Sequence, residues 1–262
     1  MSQQKLADLV NQSGFPLQIA VANAVDQSTN SHGWNVTYTK HAWRDAETGE
    51  DGFIDIVLRH RYTNCTFVVE CKRVLEASWI FLVPGSRAPN RRHVKAWVTQ
   101  YSGGSQRRFY WSDITLDPAT PQAEYCVVPG QDSKSKPMIE RIGADLVSAT
   151  LALAKEEQPL LARNKDSRRI YFSVLITTAR LSVCTFDPSS VALHDGKIPS
   201  GSFQEVPFVR FRKQLSTRPL TEAEVTEAST SSLANAKEHT VFVVQAESLT
   251  HFLDEFELDG NT

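Results

Sequence analysis

The chain has 262 residues, of which 41% are hydrophobic and 22% charged, and its net charge is −2. This is enough apolar material for one large domain with its own core. No apolar run approaches the roughly 20 residues that span a bilayer, and the N-terminus MSQQKLADLV lacks the layout of a signal peptide. We therefore expect a cytoplasmic protein with no membrane partner.

The first part of the chain is predicted to form a helix and three strands. In the segment GFPLQIAVANAVDQS, Pro16 suits the first turn of a helix over 15–27. The body of this helix is apolar nearly all round, which predicts burial, with Gln18 as the polar exception. Alternating β-forming residues then predict three strands, near 34–41, 53–59 and 66–72.

The rest of the chain is predicted to add helices and strands to the same sheet. Segment 78–133 is basic and aromatic-rich, and we expect a short strand, a loop and a helix around 90–101 there. An amphipathic helix follows over 137–157, capped by Ser133 or Ser135. Further strands are predicted at 170–176, 181–186, 206–211 and 240–245, with a polar surface segment over 217–240 and a short helix near 248–256.

This order of elements predicts an α/β fold with a mixed sheet. We expect a single domain with a core over about 14–186, a basic insertion over about 78–133 and a C-terminal extension over about 187–262.

Three charged residues stand inside the second and third predicted strands. Side chains alternate along a strand, so Glu70 and Lys72 project to the same side. A tight hairpin turn would place Asp55 directly across from Glu70, with Cβ atoms about 5 Å apart. Two facing carboxylates resist ionisation unless a cation lies between them. The pattern therefore predicts a metal site.

Mg²⁺ (or Mn²⁺) suits this arrangement, since it prefers oxygen ligands and completes its shell with water and phosphate oxygens. We expect Asp55, Glu70 and the backbone carbonyl of Cys71 to hold the metal. Lys72 would then stabilise charge on a phosphate or help to deprotonate an attacking water. Together these features predict metal-assisted hydrolysis of a phosphodiester.

The charge distribution along the chain is uneven. Between Arg59 and Arg108 there are ten Lys or Arg residues against two acidic residues. Such a segment is typical of a surface that contacts the nucleic-acid backbone, although an ordinary solvated loop stays open as an alternative. The predicted nucleic-acid-binding residues are Arg73, Arg87, Arg91, Arg92, Lys95, Arg107 and Arg108.

The pattern of Asp55 followed by Glu70-Cys71-Lys72, on adjacent strands after a buried helix, resembles the PD-(D/E)xK, or restriction-endonuclease-like, nuclease superfamily. The predicted order of helix, three strands, helix and strand matches its core (αβββαβ). The combination GFPLQ…GW…IDIV…VECK…SWIFL is similar to bacterial members linked to defence and mobile elements. This resemblance implies a metal-dependent deoxyribonuclease in which Asp55 and Glu70 bind the metal and Lys72 assists the water.

The chain departs from the family pattern at two positions. Ile54 precedes Asp55 where the family pattern has proline. Gln18 stands where many members carry a metal-associated glutamate on the first helix, which leaves it as a further candidate ligand. A neutral amide removes one negative charge from the site, so a single metal or weaker metal binding is expected.

Several alternatives stay open at this point. The chain could be a catalytically silent or partner-activated member of the same fold that binds DNA, a protein partner or a second copy of itself. Glu70 and Lys72 could form an exposed ion pair beside Asp55 and need no metal. Cys71 could be a thiol nucleophile with His41, His60 or His93 as its base. A zinc site and intrinsic ATP hydrolysis are disfavoured, because the sequence has no HxH, HxxxH or CxxC grouping and no GxxxxGK[ST] loop.

Overall fold

The computed structural model describes residues 2–75, 77–85, 90–130, 136–216, 224 and 230–259. Its helices are α1 Gln3–Gln12, α2 Phe15–His32, α3 Met138–Ala162, α4 Thr230–Ala236 and α5 Leu249–Glu255. Its strands are β1 Trp34–Arg44, β2 Asp51–His60, β3 Cys65–Lys72, β4 Ser78–Pro84, β5 Asn90–Ser102, β6 Ser105–Ala123, β7 Tyr125–Val127, β8 Ser167–Thr177, β9 Arg180–Phe186, β10 Ser202–Glu205, β11 Phe208–Gln214, β12 Glu238–Gln245 and β13 Glu257–Leu258. The chain is therefore a mixed α/β protein built mostly from strands.

Most predicted elements are confirmed near their expected positions, and two predictions are wrong. Helix α2 was expected to be buried nearly all round, but it is buried on one side only, and Phe15 and Ile19 are exposed. The helix expected around 90–101 is wrong, because this segment is strand β5. Val94, Ala96 and Val98 of β5 share one hydrophobic core while Trp97 belongs to the other, which is the alternation of a strand buried on both faces. Helix α1 was not predicted. The expected caps of α3, Ser133 and Ser135, lie outside the described residues, as does half of the polar segment 217–240.

The main sheet begins with the four strands that carry or flank the charged motif. Strands β1 and β2 pair antiparallel, β2 and β3 pair antiparallel, and β3 pairs parallel with β8. Helix α3 lies between β3 and β8 in the chain, after the strands β4 to β7. The order of strands in this part of the sheet is β1-β2-β3-β8.

Beyond β8 the sheet closes into a ring. Strand β8 pairs parallel with β12 and, over its first half, antiparallel with β5. Strand β12 pairs with β11, β11 with β6, and β6 with β5, so β5-β6-β11-β12-β8 form a closed five-stranded ring. Strands β5 and β6 of the expected insertion, and β11 and β12 of the expected extension, are thus part of the main sheet. A second sheet has the order β10-β9-β4-β7.

Helices cover both faces of the main sheet and form two hydrophobic cores. Leu146 and Leu153 of α3 pack in one core with Val68 of β3. Val25 of α2 packs in the other core with Phe67, and α5 contributes to the same core. Neighbouring residues of β3 therefore point to opposite, covered faces. None of the helices described combines the length and apolar composition that crossing a bilayer requires.

Candidate active site

The β2–β3 hairpin has the register that the sequence predicted. Ile56 pairs with Val69 and Val57 with Val68, and continuing this register places Asp55 opposite Glu70. The backbone ladder ends at the Ile56–Val69 pair. Beyond it, the Cys71 amide donates a hydrogen bond to Asp55 Oδ2 over 2.8 Å. Where β2 and β3 separate, the Cys71 amide therefore donates to the Asp55 carboxylate instead of to a backbone carbonyl of β2.

Asp55 is buried, with 5% of its side chain exposed, and a lysine neutralises it. The Nζ atom of Lys40 lies 2.6 Å from Asp55 Oδ1. Strand β1 supplies this lysine, because the pairs on either side of it, Thr39–Ile56 and His41–Ile54, place Lys40 opposite Asp55. Lys40 was not predicted from the sequence, although the register of the β1–β2 hairpin places it opposite Asp55. The charge conflict expected to need a metal is relieved at Asp55 by an ammonium group.

Glu70 is half-buried and faces α3. It lines a cleft of about 540 Å³ together with Ile142 and Asp145 of α3. Burial raises the pKa of Glu70, and repulsion from Asp55 raises it further. The positive charges of Lys40 and Lys72 lower the pKa in part, and the result is a value of about 7. No hydrogen bond or ion pair to the Glu70 carboxylate occurs within the part of the chain described. This carboxylate has room for a ligand and is destabilised without one.

Lys72 ends strand β3 and is half-buried. Its ammonium group makes no hydrogen bond or ion pair with any described residue. It is nevertheless close enough to lower the pKa of Glu70. Asp55, Glu70 and Lys72 thus interact electrostatically at one end of the sheet.

The geometry gives no support to Cys71 as a nucleophile. The thiol is buried, and burial, followed by Asp55 and Glu70, holds the pKa of Cys71 well above its usual range. The three candidate bases have partners elsewhere. His41 contacts Glu156, His60 contacts Thr63 and the carbonyl of His32, and His93 contacts Thr115.

Gln18 lies in the first turn of α2 and is half-buried. No hydrogen bond of its side chain occurs among the described residues. The ring centroid of Phe15, three residues earlier in the same turn, lies 5.4 Å from Lys40 Nζ. The first turn of α2 therefore adjoins the Lys40–Asp55 pair.

The candidate metal ligands are oxygen atoms, which suit a hard cation, but there are few of them. The described residues contain no group of three or more His, Cys, Asp or Glu side chains that could hold a metal ion. The motif offers two carboxylates and the Cys71 carbonyl. This is an oxygen donor set of the type that Mg²⁺ accepts when water and substrate complete the shell. Binding at Asp55 Oδ1 would require Lys40 to move.

The predicted nucleic-acid-binding residues do not form one surface. Lys95 is 6% exposed and its ammonium binds Asp113 over 2.7 Å, so it presents no free charge to a phosphate. Arg92 pairs with Asp117 and Asp259. Arg91 is exposed at the start of β5, and Arg73 is half-buried directly after β3. Arg87 lies outside the described residues.

Arg107 and Arg108 are exposed near the β5–β6 turn, far from the motif. Gln100 pairs with Arg108 on one side and with Arg168, at the start of β8, on the other. Lys72 pairs instead with Thr177, at the end of β8. At about 3.3 Å per residue, the two arginines and Lys72 lie roughly 30 Å apart along the sheet.

The aromatic residues of the basic segment belong mainly to the cores. The buried members of the set are Trp79, Phe81, Trp97, Tyr101 and Trp111. Phe109 and Tyr110 are half-buried. Most of these rings are therefore unavailable for stacking on bases.

The fold and site define a mixed α/β protein with a cluster of charged groups where two strands of its main sheet separate. Comparisons of the chain with protein-family models, with curated proteins and with solved structures found no match.

Proposed function

We propose that this protein is a divalent-metal-dependent nuclease that hydrolyses phosphodiester bonds in DNA. One observation carries the proposal. Asp55, Glu70 and Lys72 meet where β2 and β3 separate, with the two carboxylates close enough to repel each other. Carboxylates held together in this way are a common basis of a cation site.

The arrangement of the surrounding elements supports a restriction-endonuclease-like core. Helix α2 precedes β1, β2 and β3, and α3 precedes β8, which gives the order αβββαβ once β4 to β7 are set aside. Strands β1-β2-β3-β8 are neighbours in this order, and only β3 and β8 are parallel. The closed ring of strands is an addition to this proposed core.

Asp55, Glu70 and the Cys71 carbonyl would hold Mg²⁺ or Mn²⁺, with the Gln18 amide oxygen as a further candidate ligand. When bound, the metal would polarise the phosphoryl group and lower the pKa of a bound water. The Cys71 amide keeps Asp55 oriented through Oδ2. Lys72, which has no partner among the described residues, would hold a phosphate oxygen or accept a proton from the attacking water.

Cleavage of plasmid and single-stranded DNA in Mg²⁺, Mn²⁺ or EDTA tests the proposal. Asp55→Asn and Lys72→Ala are each expected to reduce the cleavage rate by about 100-fold or more, since each removes a group from the reaction centre. Asp113→Asn is the matched control, because it neutralises an aspartate of another lysine–aspartate pair. Full cleavage by the Asp55→Asn variant would refute the assignment.

A second candidate function is a catalytically silent module of the same fold. Lys40 already neutralises Asp55, and Gln18 supplies no charge. The apolar side chains exposed on α1 and α2, such as Leu9 and Ile19, would suit a protein partner or a second copy of the chain. DNA binding that persists in EDTA and yields no product would favour this candidate. A cytoplasmic location is part of both proposals, and a role in bacterial defence is part of the nuclease proposal only.

A further inference from the structure

Lys40 has an unusual backbone conformation for its residue type. Its φ angle is +52°, and it is the sole non-glycine residue with positive φ in the part of the chain that the structure describes. A lysine in this region is conformationally strained and persists where the surrounding contacts hold it. Such strain at a strand position opposite a buried carboxylate points to a specific role for the side chain.

The two members of the Lys40–Asp55 pair differ in their access to solvent. Asp55 is 5% exposed, whereas Lys40 is 45% exposed. The ammonium group can therefore leave for water or for another anion, while the carboxylate stays behind and needs a cation. The Cys71 amide still holds Oδ2, so Asp55 keeps its position when Oδ1 is vacated.

We propose that Lys40 is the resident counter-ion of this site. It binds Asp55 Oδ1 until a divalent cation replaces it, and its displaced ammonium then contacts a phosphate oxygen of the substrate. This inference rests on the proposed nuclease function and adds a positioning residue that the charged motif does not contain. The exchange also couples binding of the metal ion to binding of the substrate, because the metal releases the Lys40 ammonium to contact the phosphate.

Titration calorimetry with MnCl₂, in the absence of DNA, tests the competition directly. Lys40→Met is expected to bind Mn²⁺ about five- to tenfold more tightly than the wild type, because a partly exposed ammonium no longer competes for Oδ1. Lys40→Arg keeps the cation and should stay within about twofold of the wild type. Lys95→Met is the matched control, since it removes an ammonium from the Lys95–Asp113 pair.

Circular dichroism checks that each variant is folded, and Lys40→Gln replaces Lys40→Met if that variant does not fold. Equal or weaker Mn²⁺ binding by the folded Lys40 variant overturns this inference and leaves the nuclease proposal standing. If neither the wild type nor the Lys40 variant binds Mn²⁺, or if Asp55→Asn leaves Mn²⁺ binding unchanged, the metal site is refuted and so are both proposals. Tighter binding that Asp55→Asn abolishes supports both.

Discussion

Glu70→Gln should make the metal-free protein more stable at alkaline pH. The folded protein raises the pKa of Glu70 from 4.5 to about 7, chiefly through burial and then through repulsion from Asp55. Without screening by solvent, a pKa shift of this size changes the unfolding free energy by about 3 kcal/mol. Because the side chain is partly exposed, solvent screening reduces the expected gain in unfolding free energy to about 1–2 kcal/mol.

The pH dependence has a definite sign. A raised pKa means that the folded state binds this proton more tightly than the unfolded state does. The contribution is therefore fully present below pH 4.5 and is lost as pH rises through about 7. Urea unfolding of the wild type and Glu70→Gln, in EDTA at pH 5 and pH 8, should show a much larger difference at pH 8.

Glu205→Gln is a matched control, since Glu205 is an exposed glutamate on β10. It should change the unfolding free energy little at either pH. The reasoning is refuted if Glu70→Gln is no more stable than the wild type at pH 8. Saturating Mn²⁺ should then stabilise the wild type more than the variant, because the variant lacks one carboxylate ligand.

Two further predictions concern regions outside the motif. Glu157 is buried, and its carboxylate accepts hydrogen bonds from three side chains. These belong to Arg59, Arg169 and Tyr171. Glu157→Gln should lower the unfolding free energy by about 2–3 kcal/mol, because it leaves partly buried guanidinium groups without their counter-charge. Urea titrations measure this loss, and a loss below about 1 kcal/mol would contradict the prediction. If DNA follows the sheet to Arg107 and Arg108, the Arg107→Ala/Arg108→Ala double variant should reduce the salt slope of DNA binding by about 2, whereas Lys95→Met should not change it. An unchanged slope in the double variant would place the DNA elsewhere.

The hairpin that carries the motif could be predicted because its signals are local. A short turn and alternating side chains fix the register of β2 against β3, and Asp55 and Glu70 follow from it. Lys40 was missed for a different reason. Its contact depends on the register of a second hairpin and on a positive φ that its residue type does not suggest. The ion pair thus depends on how β1 pairs with β2 and on the local backbone of Lys40.

The five-stranded ring could not be predicted from local pattern. Segment 90–101 has aromatic and β-branched residues that suit a strand, but its Pro- and Gly-rich surroundings suggested loops and a helix. Its identity as β5 is decided by pairing with β6 and with β8, and the β8 partner lies about seventy residues further along the chain. Likewise, the sequence predicts Lys95 as a charge on the surface, whereas the strand pairing of the ring buries it beside Asp113. Burial of this kind depends on distant partners.

Strand β8 pairs with three strands that lie far from it in the chain, β3, β5 and β12. During synthesis, the edge of β3 that pairs with β8 stays open until β8 emerges, and β8 itself lacks its β12 partner until Gln245 has been made. Long-range pairing of this kind slows folding and leaves strand edges open to association with other chains. A fragment that ends before Glu238 should therefore form the hairpin but expose the edge of β8, which makes it prone to aggregate.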